Sequence, residues 1–403
     1  MESLRELYRI GPGPSSSHSL GVRNGCEYFY HKYPDHERYL VELYGSLSLT
    51  GKGHMSDKVI YDYFGKDKVE VVFKKEMIEH PNTMICYTVD DGIRNNETHI
   101  YSVGGGKIEV KGEKNLTDEH VYPHDHLSDI MEYCEANNMT LAEYVFKHDE
   151  GIKEHLETVL NQMLKVVEDG LKQSGYLPGE LHLKKVAREI YKQSLIVTDP
   201  TVKQKLEITA YAYAAMEESS SGNTVVTAPT LGSSGVISSL VYYYHKKGVS
   251  KEKLLEALAV AGIIGNIVKT NASISGATGG CQAEIGTACA MGSGLACQIE
   301  GLSNHQIEYA AEVGMEHNLG LTCDPVGGYV QIPCIERNGV AALRCIDAMN
   351  YAKYISIVKS NRVSFDMIVK VMNYTGKKIP VELRETSLGG LAIELGNDEN
   401  GSK

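Results

Sequence analysis

Apolar and polar positions along this chain of 403 residues change their period once, near residue 147. Before that point, short runs rich in β-branched residues alternate with polar turns. Residues 67–74 and 83–89 read as strands. Residues 97–103 and 107–111 flank Gly104-Gly105-Gly106 as a hairpin or bulged turn. Residues 21–33, 56–63 and 127–136 read as helices, and Thr140-Leu-Ala-Glu143 is a capping box that opens another. Beyond residue 147 the period is helical almost throughout. Val159, Met163, Val166, Val167 and Leu171 share one helical face. Asp199-Pro200 offers an N-cap followed by a first-turn proline. Ser250 can cap an apolar helix starting near Lys251, and Ser303-Asn-His-Gln306 is a second capping box. The pattern predicts an α+β N-terminal domain over residues 1–146, followed by a larger all-α domain over residues 155–403. The boundary falls around the charged segment KHDEGIKEH, and the only low-complexity stretch is the short polar end GNDENGSK.

Composition narrows the class. Hydrophobic content of 42% and charged content of 23% suit a soluble globular enzyme. A net charge of −12 leaves no basic face for nucleic acid. The start, MESLRELYRI, has no apolar core of a secretory signal. The most apolar run, residues 257–268, is short for a membrane span and ends in Lys269. Nine cysteines without such a signal point to a reducing compartment, and the absence of a Cys-x2-Cys pair counts against structural zinc. A cytoplasmic protein with no membrane or nucleic-acid partner is expected.

Three of the cysteines stand in turns made by glycine and proline: Cys281 after Gly279-Gly280, Cys323 before Asp324-Pro325, and Cys334 after Pro333. Thiolates are the usual ligands of iron–sulfur clusters, and a cubane cluster takes four. Three ligands would leave one iron free as a Lewis acid. Cys281 is expected to open a helix, where the dipole favours a thiolate. The ordinary alternative is that each is a small buried residue. The same alternative is the expectation for Cys26, Cys86, Cys134, Cys289, Cys297 and Cys345, which lie in apolar or helical surroundings.

Other polar segments carry candidate chemistry. Gly11-Pro-Gly-Pro presents Ser15, Ser16, Ser17 and His18, a set able to hydrogen-bond a carboxylate or phosphate, or simply to make a turn. Ser219, Ser220, Ser221 and Asn223 form a polar glycine-containing turn that could bind substrate or pack two helices. His54 and His124 sit in loop-like contexts, where a histidine can act as acid or base. Lys269 and Asn271 follow an apolar helix, where a lysine can bind a carboxylate, move protons or cap the helix.

The blocks KTNASISGATGGCQAEIG, EHNLGLTCDPVGGYVQIPCIERN, SSSGNTVVTAPT, RIGPGPSSSHS and LTGKGH span nearly the whole chain in order. They resemble the iron–sulfur-dependent L-serine dehydratases (L-serine ammonia-lyases) in their single-chain form. The resemblance implies a 4Fe-4S cluster on Cys281, Cys323 and Cys334, and conversion of L-serine to pyruvate and ammonia. It also implies His54, His124 and Lys269 as catalytic residues, the serine-rich turns and Asn271 as substrate contacts, and a homodimer. The chain departs from the family at Val22, Leu231 and Ser238, where proline, asparagine and proline are common, so threonine or another β-hydroxy amino acid stays open as substrate. Some relatives end in a cysteine that folds onto the cluster; here no cysteine follows Cys345, and an open iron with oxygen sensitivity is expected. Two rivals stand beside this reading. One is the same reaction with pyridoxal phosphate on Lys269; the other is a non-catalytic iron–sulfur or amino-acid sensor.

Overall fold

In the computed structural model, which describes residues 1–113 and 120–395, the first period of the sequence becomes a five-stranded sheet. Six strands precede residue 113: β1 (Ile10–Pro12), β2 (Arg38–Leu43), β3 (Val69–Phe73), β4 (Thr83–Asp90), β5 (Ile93–Gly104) and β6 (Lys107–Val110). The sheet order is β3-β2-β4-β5-β6, with β2 and β3 parallel and the remaining pairs antiparallel. The parallel crossover carries the short helices Ser46–Leu49 and Ser56–Phe64. The β5–β6 hairpin turns through Gly104, Gly105 and Gly106, all at positive φ. β2, which the apolar pattern does not mark, is central. Its sequence RYLVEL lacks alternation because every residue after Arg38 is buried, as in a strand covered on both faces. Helix Gly21–Lys32 packs on the sheet, and the shared core includes Phe29, Leu43, Met84, Cys26 and Cys86.

The second period becomes a helical body around Lys251–Asn271. That helix is long and apolar enough to cross a membrane, but 78% of its apolar window is buried inside the fold. Its small residues let neighbours approach: a side chain on Gly262 would meet Leu4 at 2.5 Å. The chain's first residues and residues 127–145 join this core, and the Tyr8 hydroxyl donates to Leu258 O at 3.0 Å. Burying Leu4 and Tyr8 there contributes roughly 2–3 kcal/mol each. The sequence signals for helix starts are met. Thr140 and Ser303 form capping boxes, Asp199 accepts from Thr201 N and Val202 N, and Ser250 accepts from Lys253 N. Cys134, Cys289, Cys297 and Cys345 belong to the helical core, and no disulfide forms among the described residues. The polar end GNDENGSK lies outside the described residues.

Sheet and helical body are stitched by a two-stranded ribbon. β1 pairs antiparallel with β7 (Thr224–Val226), Ile10 opposite Val226 and Pro12 opposite Thr224. The ribbon sets the position of everything that follows Pro12.

Candidate active site

The ribbon delivers the serine-rich loop to the helical body. Gly13 N donates to Asn223 O at 2.9 Å, and a side chain on Gly13 would lie 2.1 Å from Ser219 O. Only glycine permits that approach. Ser16 Oγ accepts from Leu231 N at 2.6 Å, and Ser15 caps the turn Ser16–Leu20 by accepting from His18 N. From the sheet side comes Thr50-Gly-Lys-Gly-His54, where a side chain on Gly53 would lie 2.4 Å from Gly328 O, in the turn before Cys334.

The three cysteines of the glycine–proline turns meet here. Cys281 begins the helical run continued by Gln282–Gly286 and Thr287–Ile299, and Cys334 is the first residue of helix Cys334–Ile355. Cys323 lies in an extended turn, its N–H donating to Leu383 O at 2.8 Å and its carbonyl accepting from Glu385 N at 2.7 Å. With Ser15, His54, Glu284 and Glu385 they line one enclosed cavity of about 10 Å³. One turn after Cys334, the Arg337 guanidinium reaches the sulfurs and also donates to Thr322 O at 2.6 Å. A hydrogen bond from Cys323, helped by Arg337 and opposed by burial, pushes Cys281 down to about 7. The same bond and burial push Cys323 well up, and burial raises Cys334. Three sulfurs, one of them already acidic and held by a guanidinium, are the donor chemistry an iron–sulfur cluster takes. The cavity would have to widen to admit one.

The wall opposite is acid–base machinery. The rings of His18 and His54 stack with centroids 4.4 Å apart. His54 Nδ1–H donates to Thr50 O at 2.9 Å, which leaves Nε2 as the nitrogen that faces Glu385 Oε1, at 3.4 Å. Ser46 Oγ–H is committed to Glu385 O at 2.6 Å, so Ser46 accepts from His18 Nε2–H at 3.0 Å, and Ser17 Oγ–H donates to His18 Nδ1 at 2.8 Å. Burial holds His18 down at about 4 against the pull of Glu385, keeping the ring neutral. His18, His54 and Glu385 are close enough to clasp a metal ion. Both ring nitrogens of His18 are already bonded, which leaves it no free ligand atom. Burial works to raise Glu385, but His18, His54 and the Ala277 N–H outweigh it and keep its carboxylate below the ordinary range. Its Oε2 is buried without a partner. Glu284, which accepts from Thr230 Oγ1 at 2.7 Å, is driven far upward by burial and by the charges of Glu385 and Cys281. Two buried carboxyls thus share one cavity, one ionised and one carrying a proton.

The residues singled out in the sequence fall into three groups. Ser15, His54, Cys281, Cys323 and Cys334 line the cavity, with Ser16, Ser17 and His18 directly behind Ser15 and His54. Ser219, Ser220, Ser221 and Asn223 hold the turn on which that loop rests, through bonds to Leu231 O, Val330 O, Glu217 O and Glu218 Oε2. The structure does not bring the remaining three to this cavity. Lys269 donates to Glu2 Oε2 at 2.7 Å and to Glu6 O at 3.0 Å. Asn271 donates to Asp125 O and Ile267 O at a helix end, and His124 bonds the Tyr144 hydroxyl at 3.0 Å in an aromatic group with Tyr133. Sequence reasoning passed over Glu284, Arg337 and Glu385. The first two had a signal, since each stands three residues after a cluster-type cysteine at a helix start and so shares its face. Glu385 had none.

A family model described as serine dehydratase alpha chain matches residues 70–392, and one described as serine dehydratase beta chain matches residues 3–67. The chain is 34% identical to an L-serine dehydratase of Streptomyces coelicolor over 451 residues, covering 98% of this chain and 99% of that one. With L-serine dehydratase 2 of Escherichia coli the identity is 35% at the same coverage, and with an L-serine dehydratase of Helicobacter pylori it is 34%.

Proposed function

The chain belongs to the serine dehydratase family, and on that premise we propose that it converts L-serine to pyruvate and ammonia at the cavity between Cys281 and Glu385. One observation carries this reading: three cysteines, a histidine set against a carboxylate of lowered pKa, and a second carboxyl of raised pKa line the same cavity.

Cys281, Cys323 and Cys334 would hold a 4Fe-4S cluster. When bound, it supplies an iron without a protein ligand, a Lewis acid for the substrate carboxylate and β-hydroxyl. The chain supplies the rest. The unpartnered Glu385 Oε2 accepts from the substrate ammonium. His54 Nε2 takes the Cα proton, Thr50 O fixes its tautomer, and Glu385 steadies the imidazolium. Glu284 gives its proton to the departing β-oxygen, which leaves as water. The aminoacrylate tautomerises to an imine, and a water molecule hydrolyses that to pyruvate and ammonia. Transfer of the proton from His54 to Glu284 resets the site, and no electron is gained or lost.

The pyridoxal rival loses support, since Lys269 is committed to Glu2 and no lysine among the described residues lines the cavity. A sensor has no use for two carboxyls shifted in opposite directions beside an imidazole. A homodimer in the cytoplasm is part of the reading. Nine free cysteines and an exposed apolar face, with Tyr354, Ile357 and Val358, support it. Anaerobic purification with iron and sulfide counts, followed by pyruvate release from L-serine and L-threonine before and after exposure to air, is the test. An iron-containing protein whose pyruvate production from serine dies in air is expected. A colourless, iron-free protein that still makes pyruvate would overturn the cluster.

A further inference from the structure

A second, larger cavity lies away from the cysteine site. It measures about 530 Å³ and opens between helices Asn304–Glu316 and Cys334–Ile355, with the segment Lys359–Val363 as its rim. Its charges are arranged unusually. Arg344, Lys359 and Arg362 line it together with Glu312, Glu316 and Asp347, yet none of these six forms an ion pair among the described residues. Unlike charges that line one cavity without pairing leave both signs available to a guest.

Glu312 is the telling member. Its residue is 2% exposed, and its Oε1 has no hydrogen-bond partner. A buried acceptor left unpaired costs about 1–3 kcal/mol, which a donor in the cavity would relieve. Burial and the neighbouring Glu316 push the Glu312 carboxyl up to about 8, an environment that a cation would ease. Arg344 spends only one long contact, 3.4 Å to His317 O, and keeps its other donors free. Most of the rest of the lining is apolar and aromatic. Tyr309 and Tyr351 meet edge-on at 5.8 Å, with Val313 and Val363 beside them.

We propose that this cavity binds a free α-amino acid with an apolar or aromatic side chain, its ammonium group on Glu312 and its carboxylate on Arg344. The site is wired to the cysteine centre. Cys289 in its wall sits on the helical run that starts at Cys281, and Arg344 sits on the helix that starts at Cys334. Arg344 lies ten residues along that helix, roughly 15 Å from its start. An occupant therefore contacts two helical runs that each begin with a cavity cysteine.

The test is calorimetric titration of the anaerobic, full-length holoprotein with L-phenylalanine and with L-leucine. One saturable site per chain is expected for at least one of them. Affinity should fall tenfold or more in both Glu312→Gln and Arg344→Gln, which remove opposite anchors. Each variant should keep the wild-type absorbance and ligand-free pyruvate rate, which reports an intact fold. Cys323→Ser should bind as the wild type does, separating this site from the catalytic cavity. Failure of both amino acids to bind with a Kd below about 10 mM would overturn the proposal. So would binding that survives in Glu312→Gln and Arg344→Gln but vanishes in Cys323→Ser.

Discussion

Cys281 with Cys323, and Cys289 with Cys345, are both buried sulfur pairs, and one helical run carries the first member of each. In both pairs a hydrogen bond from the partner lowers one sulfur and raises the other, so acidity alone does not tell them apart. Their surroundings do. The Cys289 and Cys345 S–H groups are turned to backbone carbonyls, Cys345 to Ala341 O at 3.1 Å and Cys289 to the same oxygen at 3.7 Å. Cys345 packs so closely that a side chain on Gly292 would meet its sulfur at 2.5 Å. Cys281 and Cys323 share their cavity with a third sulfur, Cys334, whereas the larger cavity that Cys289 lines with Arg344 offers it no third sulfur among the described residues. Two sulfurs in contact are a packing motif. A third sulfur turns such a pair into a set of cluster ligands.

The comparison breaks most sharply on the sulfurs themselves. Replacing Cys281, Cys323 or Cys334 by serine should abolish iron binding and reduce pyruvate formation by about a thousandfold or more. Cys345→Ala should keep both within about threefold while lowering stability by about 1–2 kcal/mol for the lost packing. Iron lost from Cys345→Ala as from Cys323→Ser would erase the distinction. The next largest effect separates sulfur from proton chemistry. His54→Gln and Glu385→Gln should lower kcat by about 10²- to 10⁴-fold with the iron count unchanged.

His18 tests the polar wall through pH. Its folded-state value of about 4 lies below the value near 6.5 of an exposed histidine. The unfolded chain therefore binds a proton that the folded one refuses as pH falls from about 6.5 to about 4, and stability drops over that window. Urea midpoints of the wild type should show a loss approaching about 3 kcal/mol across it, and His18→Asn should flatten the slope. The smallest effect concerns a charge outside both sulfur pairs. Lys269→Met should leave kcat within about threefold and lower the melting temperature slightly, because Glu2 loses one of its two lysine partners at a cost of about 1 kcal/mol. A thousandfold fall in kcat would return Lys269 to the catalytic set.

Much of the fold could be read from local signals, because capping boxes, the Asp199-Pro200 start and helical periods act over a few residues. β2 escaped because burial on both faces erases the alternation that marks a strand. In the site, the cysteines and His54 stood in turns whose glycines and prolines announced close approach. His124 and Lys269 looked equally suitable in sequence, and only tertiary structure separates them, by giving each a partner elsewhere. Glu385 reaches the cavity at positive φ in a segment without a hydrophobic period, pinned by a single bridge between Cys323 and Arg384. No local pattern encodes such a contact.

The bond from Ser46 to Glu385 O closes a loop of 339 residues. In synthesis His18 and His54 emerge first, the three sulfurs much later, and Glu385 after all of them. Contacts this distant in sequence are slow to find, and domains complete their cores as the chain is made. The cavity is therefore the last part of the molecule to take shape, and both cores stand before it closes. A nascent chain short of residue 385 already displays three cysteines, but no carboxylate beside its histidines. The polar wall of the cavity is complete only once residue 385 has joined it.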